Sequence, residues 1–164
     1  DIAREFNFGL VVMGDEVRVE VKRRNLNPDP ENLGKVMLQM RAEEGPEVLA
    51  RRCMKKIETL HSSIVVVDGV RSMHEVKEFK KKFPSFKIIA VHALPQTRFE
   101  RLIKRDRSDD PKDWKAFVER DQRELDVGIG DVIATADYML VNESTIEQFR
   151  EKITRLFRQV LRNV

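Results

Sequence analysis

Four β-branched apolar residues in a row, Ile64-Val65-Val66-Val67, run straight into Asp68-Gly69-Val70-Arg71-Ser72. No other stretch constrains the fold as much. Such a run predicts a strand buried on both faces, the habit of a central strand in a parallel sheet. It ends in an acid, a glycine and an arginine, at the carboxyl edge where open α/β sheets bind ligands. Asp68 can hold Mg2+ directly or through water, and Gly69 lets a backbone or a phosphate come close. Arg71 can fork onto a phosphate.

The flanking sequence alternates strand and helix signals. Residues 1–8 read as a helix end with Gly9 as its stop, and Leu10 to Met13 as a short buried strand that again leads into an acid and an arginine, Asp15 and Arg18. Asp29-Pro30 is an N-cap followed by a first-turn proline, opening a helix with Leu33, Val36, Met37 and Met40 on one face. Gly45-Pro46 breaks it and starts another, with Val48, Leu49, Cys53, Ile57 and Leu60 at helical spacing. Ser72 and Glu75 form a capping box for a short helix ended by Pro84, with His74 facing solvent. Phe86 to His92 is a strand, and Pro95 starts a helix. Asp110-Pro111 caps the next helix, and Gly128-Ile129-Gly130 punctuates it. Asp137 to Asn142 is a last strand, and Ser144 with Glu147 opens a long amphipathic helix to the end. This alternation predicts a parallel sheet with helices on both faces.

A chain of 164 residues, 41% hydrophobic, is expected to form a single domain over 1–164. The two-helix stretch 30–60 is the one candidate for a semi-independent unit. No apolar run is long enough to cross a membrane. The single Cys53 excludes an internal disulfide, so the expected location is cytoplasmic, with Cys53 a core residue. A net charge of +3 suits anionic small molecules as readily as nucleic acid and decides nothing alone.

Chemistry is suggested by coincidence rather than by one motif. Two strands end in acid plus arginine, and a third region supplies Arg98, Arg101, Lys104, Arg105 and Arg107. Phosphoryl transfer needs such a set, because guanidinium groups and Mg2+ must neutralise the moving phosphoryl group. The basic face could instead be solvated and partnered by Glu100 and Asp106. A phosphate loop, G-x-x-x-x-G-K-[ST], should accompany the set. Gly9 and Gly14 have its spacing, but a strand lies between them, and Asp15-Glu16 replace the lysine and hydroxyl. Gly34-Lys35 lies within a helix, with Asp29 and Val36 at the other motif positions. Neither is a phosphate loop.

Nearly the whole chain resembles the archaeal branch of P-loop kinases related to dephospho-coenzyme A kinase and adenylate kinase. The residues that carry the resemblance are Val12-Met13-Gly14-Asp15 with Arg18, Val66 to Ser72, Thr97 to Arg101, Arg107 to Asp110, Val127 to Gly130, and Ala136-Asp137-Tyr138 with Asn142. It implies a three-layer α/β fold that uses ATP and Mg2+. Asp15 and Arg18 match the acceptor side, Asp68 the Walker B acid near Mg2+, and Gly69 and Arg71 the contact to the acceptor phosphate. Arg101, Arg105 and Arg107 match a lid over the triphosphate, within a lid-like region at 98–125. Asp109, Asp110 and Arg120 match a paired-acid and distal-arginine pattern, with Arg120 farther along than usual. Asn142 falls near the adenine base.

The departure is at the start. Such proteins open with a strand and a glycine-rich loop, roughly 15 residues, that run into the helix whose tail stands at 1–8. Either the chain is a fragment or the scaffold has lost the loop; the helix tail and the absent Met favour a fragment. The lost strand is expected between those at 10–13 and 64–68, leaving open edges, and the chain as it stands is expected neither to bind ATP tightly nor to turn over. The resulting expectation is an ATP-dependent phosphotransferase acting on a small nucleotide-like acceptor. The alternatives are a nucleotide-binding switch that acts through a partner, with 30–60 as its surface, and an RNA-binding module. No interleaved aromatic platform supports the last, so nucleic acid is not an expected partner.

Overall fold

The computed structural model describes residues 2–162. In chain order the elements are α1 (Ile2–Glu5), β1 (Gly9–Val12), α2 (Met13–Arg23), α3 (Pro30–Glu44), α4 (Val48–Thr59), β2 (Val65–Asp68), α5 (Met73–Lys82) and β3 (Ile89–His92). They continue with α6 (Pro95–Arg105), α7 (Trp114–Val127), α8 (Ile129–Ala134), β4 (Tyr138–Val141) and α9 (Ile146–Arg162). The fold is α/β with parallel strands, as the alternation predicts.

The strands form two parallel pairs. β1 lies on β2 with Gly9 opposite Val65 and Val12 opposite Asp68. β3 lies on β4 with Ile89 opposite Tyr138. Direct pairing of β1 with β2 leaves no room for a strand between them, which corrects the placement expected from the sequence. β2 is also less buried than its composition predicts, because only one of its edges is paired: Val65, Val66 and Val67 are half-buried and Asp68 is exposed. β3 and β4 show the same effect, with Val91, Met139 and Val141 each 50% exposed.

The first helix ends differently from expectation. Asn7, not Gly9, takes the left-handed conformation (φ 56°) that stops α1, and the Phe8 amide reaches back to the Ala3 carbonyl. Gly9 is a strand residue, where a Cβ would meet Val65 and Leu60 side chains at 3.0 and 3.1 Å. Asp1, part of the expected helix end, lies outside the described residues. β1 then passes without a loop into α2, which aims Asp15 and Arg18 past the end of β2.

One apolar core joins β1, α2, α3, α4 and α5 through Val11, Met13, Val17, Val36, Met40, Leu49, Cys53 and Phe79. The helices at 30–60 therefore share the main core. The expected caps hold at Asp29, which accepts from the Asn32 amide, and at Ser72 with Glu75. A smaller cluster of Val76, Ile88 and Val132 carries the packing towards β3 and is linked to the first by Phe79 stacked on Phe86. α9 is held by Phe157 against Phe6 and Phe8 and by an Arg150–Glu5 ion pair. Its cap is Thr145 rather than Ser144, since Thr145 Oγ1 accepts from the Gln148 amide.

Among the described residues no helix is long and apolar enough to cross a membrane. Cys53 is fully buried, and burial pushes its thiol up to about 12, as suits a core residue.

Candidate functional site

The carboxyl ends of β1 and β2 lie side by side, since Val12 is opposite Asp68. Asp15 and Arg18 follow one turn later on α2, joined at 2.9 Å. Arg18 also donates to Asp109 at 2.5 Å, which brings the loop between α6 and α7 over this edge.

That loop is organised by Asp110, which is 1% exposed. Its carboxylate accepts from Nε and Nη2 of the Arg105 guanidinium and from the Arg107 amide, with Arg120 at 3.6 Å. Burial raises the Asp110 carboxyl, but the Arg105 and Arg107 hydrogen bonds prevail and hold it below its ordinary value. The helix cap expected at Asp110 is at Asp113 instead, where the side chain accepts from the Ala116 amide. The Asp110 oxygens are turned toward Arg105 and the Arg107 amide, away from the first turn of α7. Arg105 in turn is raised above its ordinary value by its Asp110 hydrogen bonds, with Asp109 and Asp68 adding attraction.

Arg71 is fixed from behind. Glu75 is fully buried, and its carboxylate accepts from the Arg71 and Ser72 amides and from Arg41 on α3 at 2.6 Å. Gly69, with φ 98°, makes the turn before it. The Arg71 guanidinium meets Glu124 of α7 as an ion pair. Arg120, one helical turn before Glu124, donates to the Asp109 carbonyl at 3.2 Å. Burial lowers the Arg120 pKa, Glu124 opposes that shift, and Arg71 reinforces it.

The structure thus brings Asp15, Arg18, Asp68, Arg71, Arg105, Asp109, Asp110 and Arg120 to one edge. Arg107 belongs there through its backbone, while its side chain is exposed and unpaired among the described residues. Arg101 and Asn142 lie elsewhere: Arg101 donates to the Asn142 and Ser144 carbonyls and straps the turn after β4. Arg98 is bound to Asp121 and sits 5.3 Å over the Phe117 ring, within a cluster that includes Phe99 and Trp114. The basic face of α6 is therefore spent mostly on internal partners. They are Asp121, Asp110 and backbone carbonyls, not Glu100 and Asp106.

Three residues join the site that its sequence motifs do not mark: Glu124, Arg41, and Glu75 as a positioning group. For Glu124 the available signal was its i,i+4 spacing from Arg120 on one helix. Among the described residues no cluster of three or more His, Cys, Asp or Glu could cage a metal. Exposed Asp68 is a lone carboxylate, which fits an Mg2+ ion brought in by substrate phosphates better than a resident one. A hollow of about 280 Å3 between β4 and α9, lined by Tyr138, Leu140, Lys152 and Leu156, has no comparable set of converging charges.

Four guanidinium groups, of Arg18, Arg71, Arg105 and Arg120, are held at this edge by acids, an arrangement that can receive an oxyanion. The family model described as "AAA domain" matches residues 1–117. A UPF0200 protein of Methanocaldococcus jannaschii is 44% identical over 166 aligned residues, spanning all of this chain and 84% of its own length. A UPF0200 protein of Hyperthermus butylicus is 49% identical over 155 residues, spanning 94% of this chain and 83% of its own. One from Pyrococcus furiosus is 45% identical over 166 residues, spanning 97% and 89%.

Proposed function

This chain belongs to the AAA domain family, of P-loop NTPase-like proteins, and to the UPF0200 family, and from that membership we propose that it serves an ATP-dependent phosphotransferase with a small nucleotide-like acceptor. The acceptor would be of the nucleoside monophosphate or dephospho-coenzyme A kind.

One observation carries the reading: Arg18, Arg71, Arg105 and Arg120 gather at the carboxyl ends of β1 and β2, beside Asp15 and Asp68. Transfer of a phosphoryl group asks for positioning and charge neutralisation, which fixed guanidinium groups supply. In this reading Arg71 and Arg120 hold the acceptor's phosphate, with Asp15 and Arg18 flanking its remainder. Arg105 and the free Arg107 side chain stabilise charge on the transferred group. Asp68 would hold Mg2+, which when bound neutralises phosphate oxygens. Glu75 and Asp110 are positioning residues that keep Arg71 and Arg105 in place.

The test is transfer from labelled ATP, with Mg2+, to a panel of nucleoside monophosphates and dephospho-coenzyme A, using the natural gene product. Transfer to one acceptor, lost in Arg105→Gln without loss of folding, is the expected result. ATP binding with no transfer to any acceptor would point to a nucleotide-binding switch instead.

A further inference from the structure

Arg71 of the cradle pairs with Glu124, whose charge also acts on Arg120, one turn away on the same helix and 3.6 Å from Asp110. Each guanidinium carries five N–H donors. Arg71 meets Glu124 through Nε, and its two Nη groups have no hydrogen-bond partner among the described residues. Arg120 uses one Nη on the Asp109 carbonyl, its other donors being similarly unused. Both side chains are half-buried, at 23% and 28% exposed. Most of this donor capacity is therefore unmatched by protein acceptors.

The acid side is mismatched too. Glu124 Oε2 is buried and lies against Arg71 Nε, yet has no properly aligned hydrogen bond. A carboxylate evolved as a permanent partner for Arg71 would be expected to take the parallel two-bond geometry that Arg105 and Asp110 adopt nearby. The two guanidinium groups also repel each other, and Glu124 offsets that repulsion on Arg120. One flat monoanion beside two forked monocations is a poor substitute for a tetrahedral oxyanion with three or four acceptor oxygens.

We propose that Glu124 stands in the place of a ligand phosphate between Arg71 and Arg120, and that a phosphate-bearing ligand binds by displacing it. The inference rests on reading this edge as a phosphate cradle, and it adds that the empty cradle is closed by its own acid. Glu124 then sets a threshold for occupancy. A dianionic phosphate that can serve both arginines displaces it, whereas a carboxylate gains nothing over the acid already present.

Calorimetric titration with inorganic phosphate at constant ionic strength tests this, with acetate as the control anion. Glu124→Gln should bind phosphate roughly tenfold tighter than the wild type, a change of about 1.4 kcal/mol. Acetate should bind neither protein. The exposed substitution Glu119→Gln on the same helix should leave phosphate affinity unchanged. Phosphate binding that is equal or weaker in Glu124→Gln, or absent from both proteins, overturns the proposal. A second measurement needs no substitution: in wild-type protein labelled with 15N-arginine, the Arg71 Nε resonance should move as phosphate saturates. If it keeps its Glu124-paired position, the displacement does not occur. Neither readout involves ATP, so failure of phosphoryl transfer would leave this result standing, and loss of phosphate binding would be seen apart from it.

Discussion

Arg18 of α2 and Asp109 of the loop between α6 and α7 stand 91 residues apart in sequence and meet at 2.5 Å. This contact ties the α6–α7 hairpin to the helix that follows β1. Asp109 is mostly buried and Arg18 is 37% exposed, so the pair lies between a surface bridge and a buried one. A double-mutant cycle on Arg18→Ala and Asp109→Ala, measured by urea unfolding, should give a coupling of about 1 kcal/mol. Amide exchange in residues 106–113 should quicken in both single variants. Zero coupling would mean that the hairpin is not fastened here.

Glu75 is expected to be the costliest acid to remove near the cradle. It is fully buried and accepts from Arg41 and from two amides. Glu75→Ala leaves Arg41 without its acid and two amides without acceptors, at about 3–5 kcal/mol. Half-buried Glu78, paired only with exposed Lys81, should cost under about 1 kcal/mol when replaced by Ala. Chemical denaturation of the two variants side by side separates them.

Glu20 should govern part of the acid limb of stability. Its side chain is 1% exposed and is held by Arg23, Arg24 and Arg52. Hydrogen bonds from Arg23, opposed by burial and helped by Arg24 and Arg52, drive its pKa far below the ordinary 4.5. A depressed folded-state pKa contributes stability that is complete above the unfolded value and drains away as pH falls through the folded one. Glu20→Gln should therefore melt below the wild type at pH 7, and the gap should narrow as pH drops below 4.5. A gap that stays constant down to pH 2 would show that the charge of Glu20 is not what matters.

Cys53 should be chemically silent in the native protein. The thiol is fully buried, and burial pushes its pKa up to about 12, so almost no thiolate exists at neutral pH. Iodoacetamide at pH 8 should label it only after denaturation. Native-state labelling at the rate of a free thiol would mean that the α4 face opens readily.

Local chemistry made much of this readable in advance. Asp29 before Pro30, and Ser72 with Glu75, are caps that depend on neighbours a few residues away, and both form. The acid-arginine strand ends were also visible, because a strand followed by a charge needs no distant partner to be recognised. What failed depended on the rest of the chain. Val17, Val19 and Val21 alternate with charges, a pattern of period two that hides the helix α2. There Val17 and Val21 are buried one turn apart, while Val19 is 56% exposed. Ile64 to Val67 suggested full burial, yet burial depends on which neighbouring strands are paired. Asp110 looked like a cap because a proline follows it, but Arg105 and the Arg107 amide claim its oxygens first. Glu124 carried only an i,i+4 relation to Arg120, a spacing common on solvated helices.

The arginines that the resemblance assigns to a lid should divide into two kinds. Arg101 was expected over the triphosphate, but its guanidinium is engaged by the Asn142 and Ser144 carbonyls at 2.7 and 3.3 Å. Charge-assisted bonds to carbonyls are worth about 1.5–3 kcal/mol together with the turn they order. Arg101→Ala should therefore lower stability by about 2 kcal/mol and leave phosphate affinity unchanged. Arg107 is the opposite case: its backbone amide serves Asp110 while its side chain reaches solvent with no partner among the described residues. Arg107→Ala keeps that amide, so it should be neutral in denaturation within about 0.5 kcal/mol and should weaken pyrophosphate binding. Arg71→Ala should do both, because it removes a cradle donor and leaves Glu124 without its ion pair. If Arg101→Ala instead weakened pyrophosphate binding without loss of stability, the strap would have to release Arg101 to the ligand.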